Sequence, residues 1–250
     1  MRALSACLAG LLCLPTWLNA TELKVLSAGA FKPVVVALAA EFERNTGHKL
    51  VIDNDTAGAL VRRIGGGEAF DLVVAPPAAL AQMAQAGKLA ADSGRPLARV
   101  AIGVAVKAGS PLPDISSVTA FQRTLVAARK VAYIDPAAGG SSGIYLAQLF
   151  ERWGMAEQIK AKAVLVPGGT VATRLVTGEA DLAIHQISEI LVVPGVTLVG
   201  PLPAEVQNYT EYSGAPALAT RDAAAVQALL AWLGSGAARV VLVAKGMLPP

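Results

Sequence analysis

Two spacings of apolar residues alternate along this chain and predict strands and helices in turn. Short continuous runs such as Leu72-Val73-Val74 are typical of strands that a sheet buries on both faces. Longer segments with a helical period follow them, and Gly47 marks the end of the first. The predicted strands are 23–27, 50–53, 71–75, 100–106, 130–134, 161–166, 181–185, 196–199 and an extended stretch at 212–218. The predicted helices are 33–45, 57–64, 76–86, 118–128, 143–153, 171–177, 223–233 and 237–245.

This alternation predicts an α/β protein. Strands that alternate with short helices form βαβ units, in which the strands are parallel and the helices cover the sheet. No low-complexity linker interrupts the pattern, and no internal repeat is evident. The length fits one large domain or two smaller lobes.

The first twenty residues have the layout of a secretory signal peptide. Arg2 precedes an apolar run at 3–14, Pro15 interrupts it, and Asn19-Ala20 ends it. The run is shorter than the ~20 residues of a membrane-spanning helix. We therefore expect residues 1–20 to be removed on export to the periplasm, with no stable membrane insertion afterwards. Both cysteines lie in this segment, so the rest of the chain can form no disulfide and no cysteine metal site.

The charge balance and the known motifs exclude several functions. The net charge is only +3, from 21 basic and 18 acidic side chains, and the basic residues do not cluster as in nucleic-acid-binding proteins. The phosphate-binding glycine motifs and the G-x-S-x-G nucleophile motif are missing. We expect no metal, no cofactor and no nucleic acid, and nothing suggests more than a monomer.

Five loops that follow predicted strands are the candidate ligand site. In open α/β sheets, ligands bind outside the carboxyl ends of the strands. Four of the five loops are rich in Gly, Ser or Thr and precede a helix, whose free N–H groups favour anions. A single loop of this kind is ordinary turn and capping chemistry, but four at equivalent strand ends predict a site for a small anion. The loops are 27–32, 53–58, 135–143, 167–171 and 185–189.

Three side chains could add to such a site, and each has an ordinary alternative. His185 ends an apolar strand, where it is either a core residue or a donor or acid/base group facing the ligand. Lys32 is unfavourable at a helix start, so it either contacts an anion or is simply solvated. Arg174 could hold a carboxylate or lie at the surface.

The loops resemble those of bacterial periplasmic molybdate-binding proteins over essentially the whole chain after the signal peptide. The matching segments are 26–33, 56–64, 70–74, 135–136, 142–145 and 178–182. The resemblance implies the type II periplasmic binding-protein fold: two lobes, each a mainly parallel sheet flanked by helices, closing on ligand between them. The lobes implied are 21–104 with 205–250, and 105–204. An ABC transporter permease is the implied partner.

The metal-oxyanion pocket of that family is only partly matched. Ala30 and Ala57 stand where the family places serines, and Gln186 stands where it places a tyrosine. A buried tetrahedral oxyanion would lose hydrogen bonds at these positions. The residues that the loops and the resemblance assign to ligand binding are Ser27, Gly29, Ala30, Lys32, Thr56, Ala57, Ser141, Ser142, Thr170, Val171, Arg174, His185 and Gln186.

The segments 184–191, 194–196 and 200–203 resemble a divergent branch of the family that includes aconitate isomerase. Three functions follow as expectations. The first is a periplasmic receptor for a small anion, with an organic carboxylate favoured over molybdate. The second is an isomerase that interconverts cis- and trans-aconitate, with His185 as the catalytic base and Lys32 or a serine in reserve. The third is capture of molybdate or tungstate in a rearranged pocket.

Overall fold

The computed structural model describes residues 20–250, so the predicted signal peptide lies outside the described residues except for Ala20. The strands are β1 (Glu22–Ala28), β2 (Lys49–Asp55), β3 (Leu72–Ala75), β4 (Arg95–Lys107), β5 (Val131–Ile134), β6 (Ala163–Val166), β7 (Leu182–Gln186), β8 (Val196–Pro201), β9 (Tyr209–Pro216) and β10 (Met247–Leu248). The helices are α1 (Lys32–Thr46), α2 (Ala57–Gly65), α3 (Pro77–Gln85), α4 (Val118–Ala127), α5 (Ser141–Arg152), α6 (Ala156–Lys160), α7 (Thr173–Val176), α8 (Ile187–Ile190), α9 (Ala223–Leu233) and α10 (Gly236–Ala244).

The α/β class is confirmed, and the elements differ from the sequence prediction mainly at their ends. Strand β4 begins at Arg95 rather than at 100, and the helix predicted at 171–177 is confined to Thr173–Val176. The short elements α6, α8 and β10 were not predicted. They are only two to five residues long, too short for a periodic pattern to develop.

The strands form a mixed sheet in the order β2-β1-β3-β9-β4-β7-β5-β6, with β8 and β10 also paired to β4. Pairings among β1, β2 and β3, and among β5, β6 and β7, are parallel. Every pairing of β4 and β9 is antiparallel. The parallel units predicted from the sequence are therefore present on both sides, joined by antiparallel strands in the middle.

Strand β4 runs through both parts of this sheet and divides the molecule. Its residues 95–101 pair with β9, whereas 102–105 pair with β7. We call the β9 side, with α1–α3, α9 and α10, the first lobe, and the β7 side, with α4–α8, the second lobe. The residue boundaries predicted for the lobes, at 104 and 204, remain a prediction.

Each lobe has its own apolar core. In the first lobe one cluster includes Phe31, Phe42 and Leu72. In the second lobe one cluster includes Phe121, and another, built from alternate residues of the same strands, covers the opposite face around Leu175. Separate cores allow each lobe to stay folded while the angle between the lobes changes.

Helices α9 and α10 are the most apolar stretch of the described chain. Within residues 20–250 no single helix is long and apolar enough to cross a membrane, although α9 and α10 meet that test as a pair bent by 58°. Leu229, Leu230 and Leu233 of α9 are buried in the core of the first lobe. In α10, by contrast, Val240 and Val243 are exposed.

Candidate functional site

A narrow cavity lies between the lobes, at the carboxyl ends of β1, β2, β5 and β7. Its empty space is about 400 Å³ when the open solvent at its mouth is included. The first lobe contributes Ala28, Gly29, Ala30, Asn54, Asp55, Thr56, Ala57 and Tyr212, and the second contributes Ile134, Gly140, Ser141, Ser142, Gly169, His185, Gln186 and Glu189.

Two helices begin at this cavity, one from each lobe. Thr56 caps α2 by accepting a hydrogen bond from the N–H of Ala59. Helix α5 begins at Ser141 after Gly140, which offers no side-chain cap. Because the first N–H groups of a helix have no partner within it, and because the helix dipole is positive there, the start of α5 favours an anion in the cavity.

A buried His–Glu pair forms the floor of the second-lobe side. His185 is the fourth residue of β7, and Glu189 lies four residues later in α8, which follows the strand without a loop. The side-chain atom Nε2 of His185 lies 3.3 Å from Oε2 of Glu189. The two residues are only 3% and 9% exposed, so both titratable groups are held largely away from water.

Hydrogen bonds fix the proton on the ring of His185. The backbone N–H of Gln186 donates to Nδ1 at 2.8 Å, so Nδ1 is an acceptor and the neutral ring carries its proton on Nε2. The hydroxyl of Ser142 also lies 3.2 Å from Nδ1. Among residues 20–250, Nε2 has no aligned hydrogen-bond partner. The Nε2 proton is therefore available to be donated in a hydrogen bond, either to Glu189 or to a ligand.

Burial shifts both ionisation equilibria of the pair towards the neutral forms. It lowers the pKa of His185 to about 4, against a smaller opposing effect of the Gly169 backbone. It raises the pKa of Glu189 to about 8. At neutral pH the imidazole is uncharged and the carboxyl is mostly protonated, yet close enough to its pKa to release the proton.

Residues of the first lobe enclose the Glu189 carboxyl. A Cβ atom on Gly29 would lie 2.5 Å from Oε1 of Glu189, so only glycine fits there without moving the carboxyl. Tyr212, on β9, is buried, and desolvation together with the charge of Glu189 raises its pKa. The carboxyl thus occupies a closed space formed when the two lobes meet.

The lobes contact each other directly beside this space. The Thr56 hydroxyl donates to the carbonyl of Ala138 at 2.5 Å, and the N–H of Gly58 donates to the carbonyl of Gly139 at 3.0 Å. On the other side, the Ser188 hydroxyl donates to the carbonyl of Ala30 at 2.8 Å. These hydrogen bonds hold the cleft closed.

The structure brings eight of the predicted binding residues into this cavity and places five elsewhere. Those lining it are Gly29, Ala30, Thr56, Ala57, Ser141, Ser142, His185 and Gln186. Ser27 is buried behind it, where its hydroxyl donates to the carbonyl of Ala28. Val171 belongs to a core cluster of the second lobe. Arg174 pairs with Glu179 at 2.9 Å.

The remaining two, Lys32 and Thr170, line a second cavity that adjoins the first. This outer cavity also includes Lys245 and Val192, and it shares Gly29, Asn54, Gly169 and Glu189 with the inner one. It encloses about 1000 Å³ with its open solvent. Glu189 therefore lies where the two spaces meet.

Glu189 and Tyr212 are the functional candidates that the sequence analysis did not select. The signal for Glu189 was its place in the fifth candidate loop, 185–189, and the structure brings it to His185 because α8 follows β7 without a loop. Tyr212 had no local signal, since it reaches the site from β9, which comes after the entire second lobe. No group of three or more His, Cys, Asp or Glu residues that could hold a metal occurs within 20–250.

Residues 23–248 match the model of the bacterial extracellular solute-binding proteins. The chain belongs to this family. Among solved structures, the fold is similar to the periplasmic molybdate-binding protein of Azotobacter vinelandii, with a TM-score of 0.78 and 20% identity over 91% of this chain and 99% of that one. It is also similar to the sulfate-binding protein SubI of Mycobacterium tuberculosis, with a TM-score of 0.75 and 19% identity over 92% and 87%.

A closer relative in sequence is an enzyme. The chain is 37% identical to an aconitate isomerase of a Pseudomonas species over 235 residues, which cover 92% of this chain and 88% of the relative. The structural likenesses, at 20% identity or less, establish the binding-protein fold. Together with this relative, they confirm the resemblance to molybdate-binding-like proteins and to the branch that includes aconitate isomerase.

Proposed function

We propose that this member of the solute-binding family is a periplasmic isomerase that moves a double bond in a small polycarboxylate, as aconitate isomerase does. The observation that carries the proposal is the buried pair of His185 and Glu189 inside the anion cavity. A receptor needs only donors for its anion, whereas an ionisable carboxyl with a pKa near 8 is suited to exchanging protons at neutral pH. The identity to an aconitate isomerase supports the same reaction class.

Glu189 is the proton-transfer group in this proposal. As a carboxylate it takes a proton from the methylene carbon of the substrate, breaking a C–H bond and forming an O–H bond. The electron pair of the broken C–H bond delocalises into the adjacent double bond. The resulting allylic anion is stabilised by the carboxylate groups that the carbon chain carries. Glu189 then returns the proton to the other end of that system, so the double bond has shifted and no oxidant or reductant is consumed.

His185 supports this step rather than performing it. Its Nδ1 lone pair accepts from the Gln186 N–H, and its pKa of about 4 keeps the ring neutral. Its Nε2 atom lies 3.3 Å from Oε2 of Glu189, and after a small side-chain rotation the ring N–H would donate to the carboxylate form of Glu189 and stabilise it. This assignment replaces the expectation that His185 is the base, and Lys32, in the outer cavity, becomes a binding residue.

The start of helix α5 binds a carboxylate of the substrate. It faces the inner cavity and has no side-chain cap, whereas the first N–H groups of α2 are already bonded to Thr56 and Gly139. Ala30 and Ala57 line the same space and offer no hydroxyl. A planar carboxylate needs fewer donors than a tetrahedral oxyanion, so this lining favours a carboxylate over molybdate.

A second candidate function is anion capture for an ABC transporter, without chemistry. The observation that favours it is the family itself, together with a cleft that holds the uncapped start of α5 and the hydroxyls of Ser141 and Ser142. Either function places the protein in the periplasm, delivered there by the signal peptide proposed at residues 1–20.

Turnover of aconitate distinguishes the two functions. The protein lacking residues 1–20 is incubated with cis- and trans-aconitate, and both isomers are followed by NMR in H2O and in D2O. We expect interconversion with deuterium incorporated at the carbon that regains a proton, and a rate that rises with pH towards 8 as Glu189 ionises. Tight binding without interconversion would refute the isomerase and leave the receptor.

A pair of substitutions tests the residue assignment. Glu189→Gln should lower turnover by roughly 10²–10⁴-fold, the usual contribution of a general base, while substrate binding changes little. Glu205→Gln, at an exposed carboxyl outside both cavities, is the matched control and should leave turnover unchanged. Full activity in Glu189→Gln would rule out Glu189 as the base.

A further inference from the structure

The inner cavity lacks positive side chains among its lining residues. Its only ionisable lining groups besides His185 and Tyr212 are the carboxyls of Asp55 and Glu189. Asp55 is already paired with Arg63 at 3.3 Å. Backbone N–H groups can hold one carboxylate there, but a ligand with two or three negative charges requires further compensation when it leaves water.

The outer cavity carries the missing positive charge. Lys32 stands at the start of α1 and Lys245 directly after α10, and both line this space. Neither forms an ion pair within residues 20–250, whereas Lys24, Arg63 and Arg174 all do. Two half-buried lysines therefore line one cavity, and within residues 20–250 no carboxylate, Glu189 included, lies within ion-pair distance of either.

The position of Lys32 also lacks a structural reason. A cation in the first turn of a helix opposes the helix dipole, and α1 has no acidic residue in its first turn and no side-chain cap. An anion bound between Lys32 and the helix start would remove this conflict. Thr170 and Val192 of the second lobe line the opposite side, so such an anion would also lie between the two lobes.

We propose that Lys32 and Lys245 form a subsite for a second carboxylate of the ligand and so select di- and tricarboxylates over monocarboxylates. This inference rests on the proposed function, since it concerns the same substrate. One carboxylate lies in the inner cavity, a second lies between the two lysines, and the carbon chain joining them passes Glu189, which lines both cavities. The reacting carbon is thereby placed at the carboxyl that exchanges its proton.

Binding measurements with the double variant Lys32→Gln/Lys245→Gln test the subsite. By calorimetry with trans-aconitate, succinate and crotonate, we expect the wild-type protein to prefer the first two by at least about tenfold. The double variant should bind trans-aconitate at least about tenfold more weakly and crotonate within about twofold of wild type. Its affinity for trans-aconitate should also depend less on salt.

The control is Lys107→Gln, an exposed lysine at the end of β4 that lines neither cavity. It should bind all three acids as wild type does. Unchanged trans-aconitate binding in the double variant would overturn the subsite, as would a wild-type protein that prefers crotonate or binds no polycarboxylate. If wild type binds polycarboxylates through the lysines but never isomerises aconitate, the proposed catalysis fails and the subsite stands.

Discussion

Closure of the cleft depends on a contact between two glycines, and Gly58→Ala tests it. Gly58 lies in α2 of the first lobe and Gly139 in the second. A Cβ atom on residue 58 would lie 2.8 Å from the Cα of Gly139 and 3.4 Å from the carbonyl oxygen of Ala138. All of these are backbone atoms, which cannot yield by changing a rotamer, so the lobes must separate.

The magnitude follows from the contacts that separation breaks. The lobes must move apart here by about 0.6 Å, from 2.8 to 3.4 Å, before the new Cβ is in ordinary contact. That motion weakens the hydrogen bonds from Thr56 to Ala138 and from Gly58 to Gly139. At about 0.5–1.5 kcal/mol each, their loss amounts to about 1–3 kcal/mol, or roughly 5–150-fold in the affinity of a ligand that binds the closed form.

The same substitution should not harm folding. Alanine within a helix is favoured over glycine by about 0.5–1 kcal/mol, so the melting temperature of Gly58→Ala should equal or exceed that of wild type. Calorimetry with trans-aconitate measures the affinity, and small-angle scattering measures the separation of the lobes. Gly65→Ala is the matched control, since it lies in the same helix with nothing within 4 Å of the new Cβ. A folded Gly58→Ala protein that is as compact as wild type and binds equally well would refute the reasoning.

Three further predictions concern the Glu189 carboxyl and Arg174. Gly29→Ala places a Cβ 2.5 Å from Oε1 of Glu189, so NMR assays should show aconitate turnover reduced at least about tenfold; normal turnover would contradict this. Arg174→Gln should bind trans-aconitate, measured by calorimetry, within about twofold of wild type, because Arg174 pairs with Glu179 outside both cavities. A tenfold loss of affinity would show that Arg174 takes part in binding. The folded-state pKa of Glu189, about 8, exceeds its ordinary 4.5, so its protonation stabilises the fold at low pH and this is lost as pH rises through 8. The free energy of unfolding of Glu189→Gln, measured in urea, should therefore rise relative to that of wild type by up to about 5 kcal/mol between pH 4.5 and 8, at about 1.4 kcal/mol per pH unit. A difference between the two proteins that does not change with pH would contradict this prediction.

The positions of the inner-cavity loops could be predicted from the sequence because topology alone determines them. Once strands and helices alternate, the carboxyl ends of parallel strands lie on one edge of the sheet, and the loops at Gly29, Thr56, Ser141 and His185 must meet there. No knowledge of side-chain packing is needed for this step. The same rule identified the loops but could not say which side chains within them face inwards.

Residues whose role depends on packing could not be predicted. Whether Arg174 faces a ligand or a neighbour depends on how the turn after the four-residue helix α7 brings Glu179 back to it. Tyr212 influences Glu189 of the second lobe only because β9, which follows that lobe in the chain, returns to pair with β3 and β4 in the first lobe. Lys245 joins the outer cavity through the docking of α10 on α1. Each of these placements is a long-range contact, which has no periodic signature in the chain.

An anion-binding cleft can become a proton-transfer site when only a few of the residues that line it are changed. Burying Glu189 is unfavourable at neutral pH, because the unfolded chain would ionise it freely, and a receptor would gain nothing from a carboxyl that repels its anion once ionised. Such an unfavourable group is retained where its chemistry is used. Gly29 makes room for the carboxyl, and Nε2 of the neutral His185 ring lies 3.3 Å from it. The proposed isomerase needs no new element of structure in this cleft, because closure of the lobes on the anion would also remove the water that otherwise restores the ordinary pKa of Glu189.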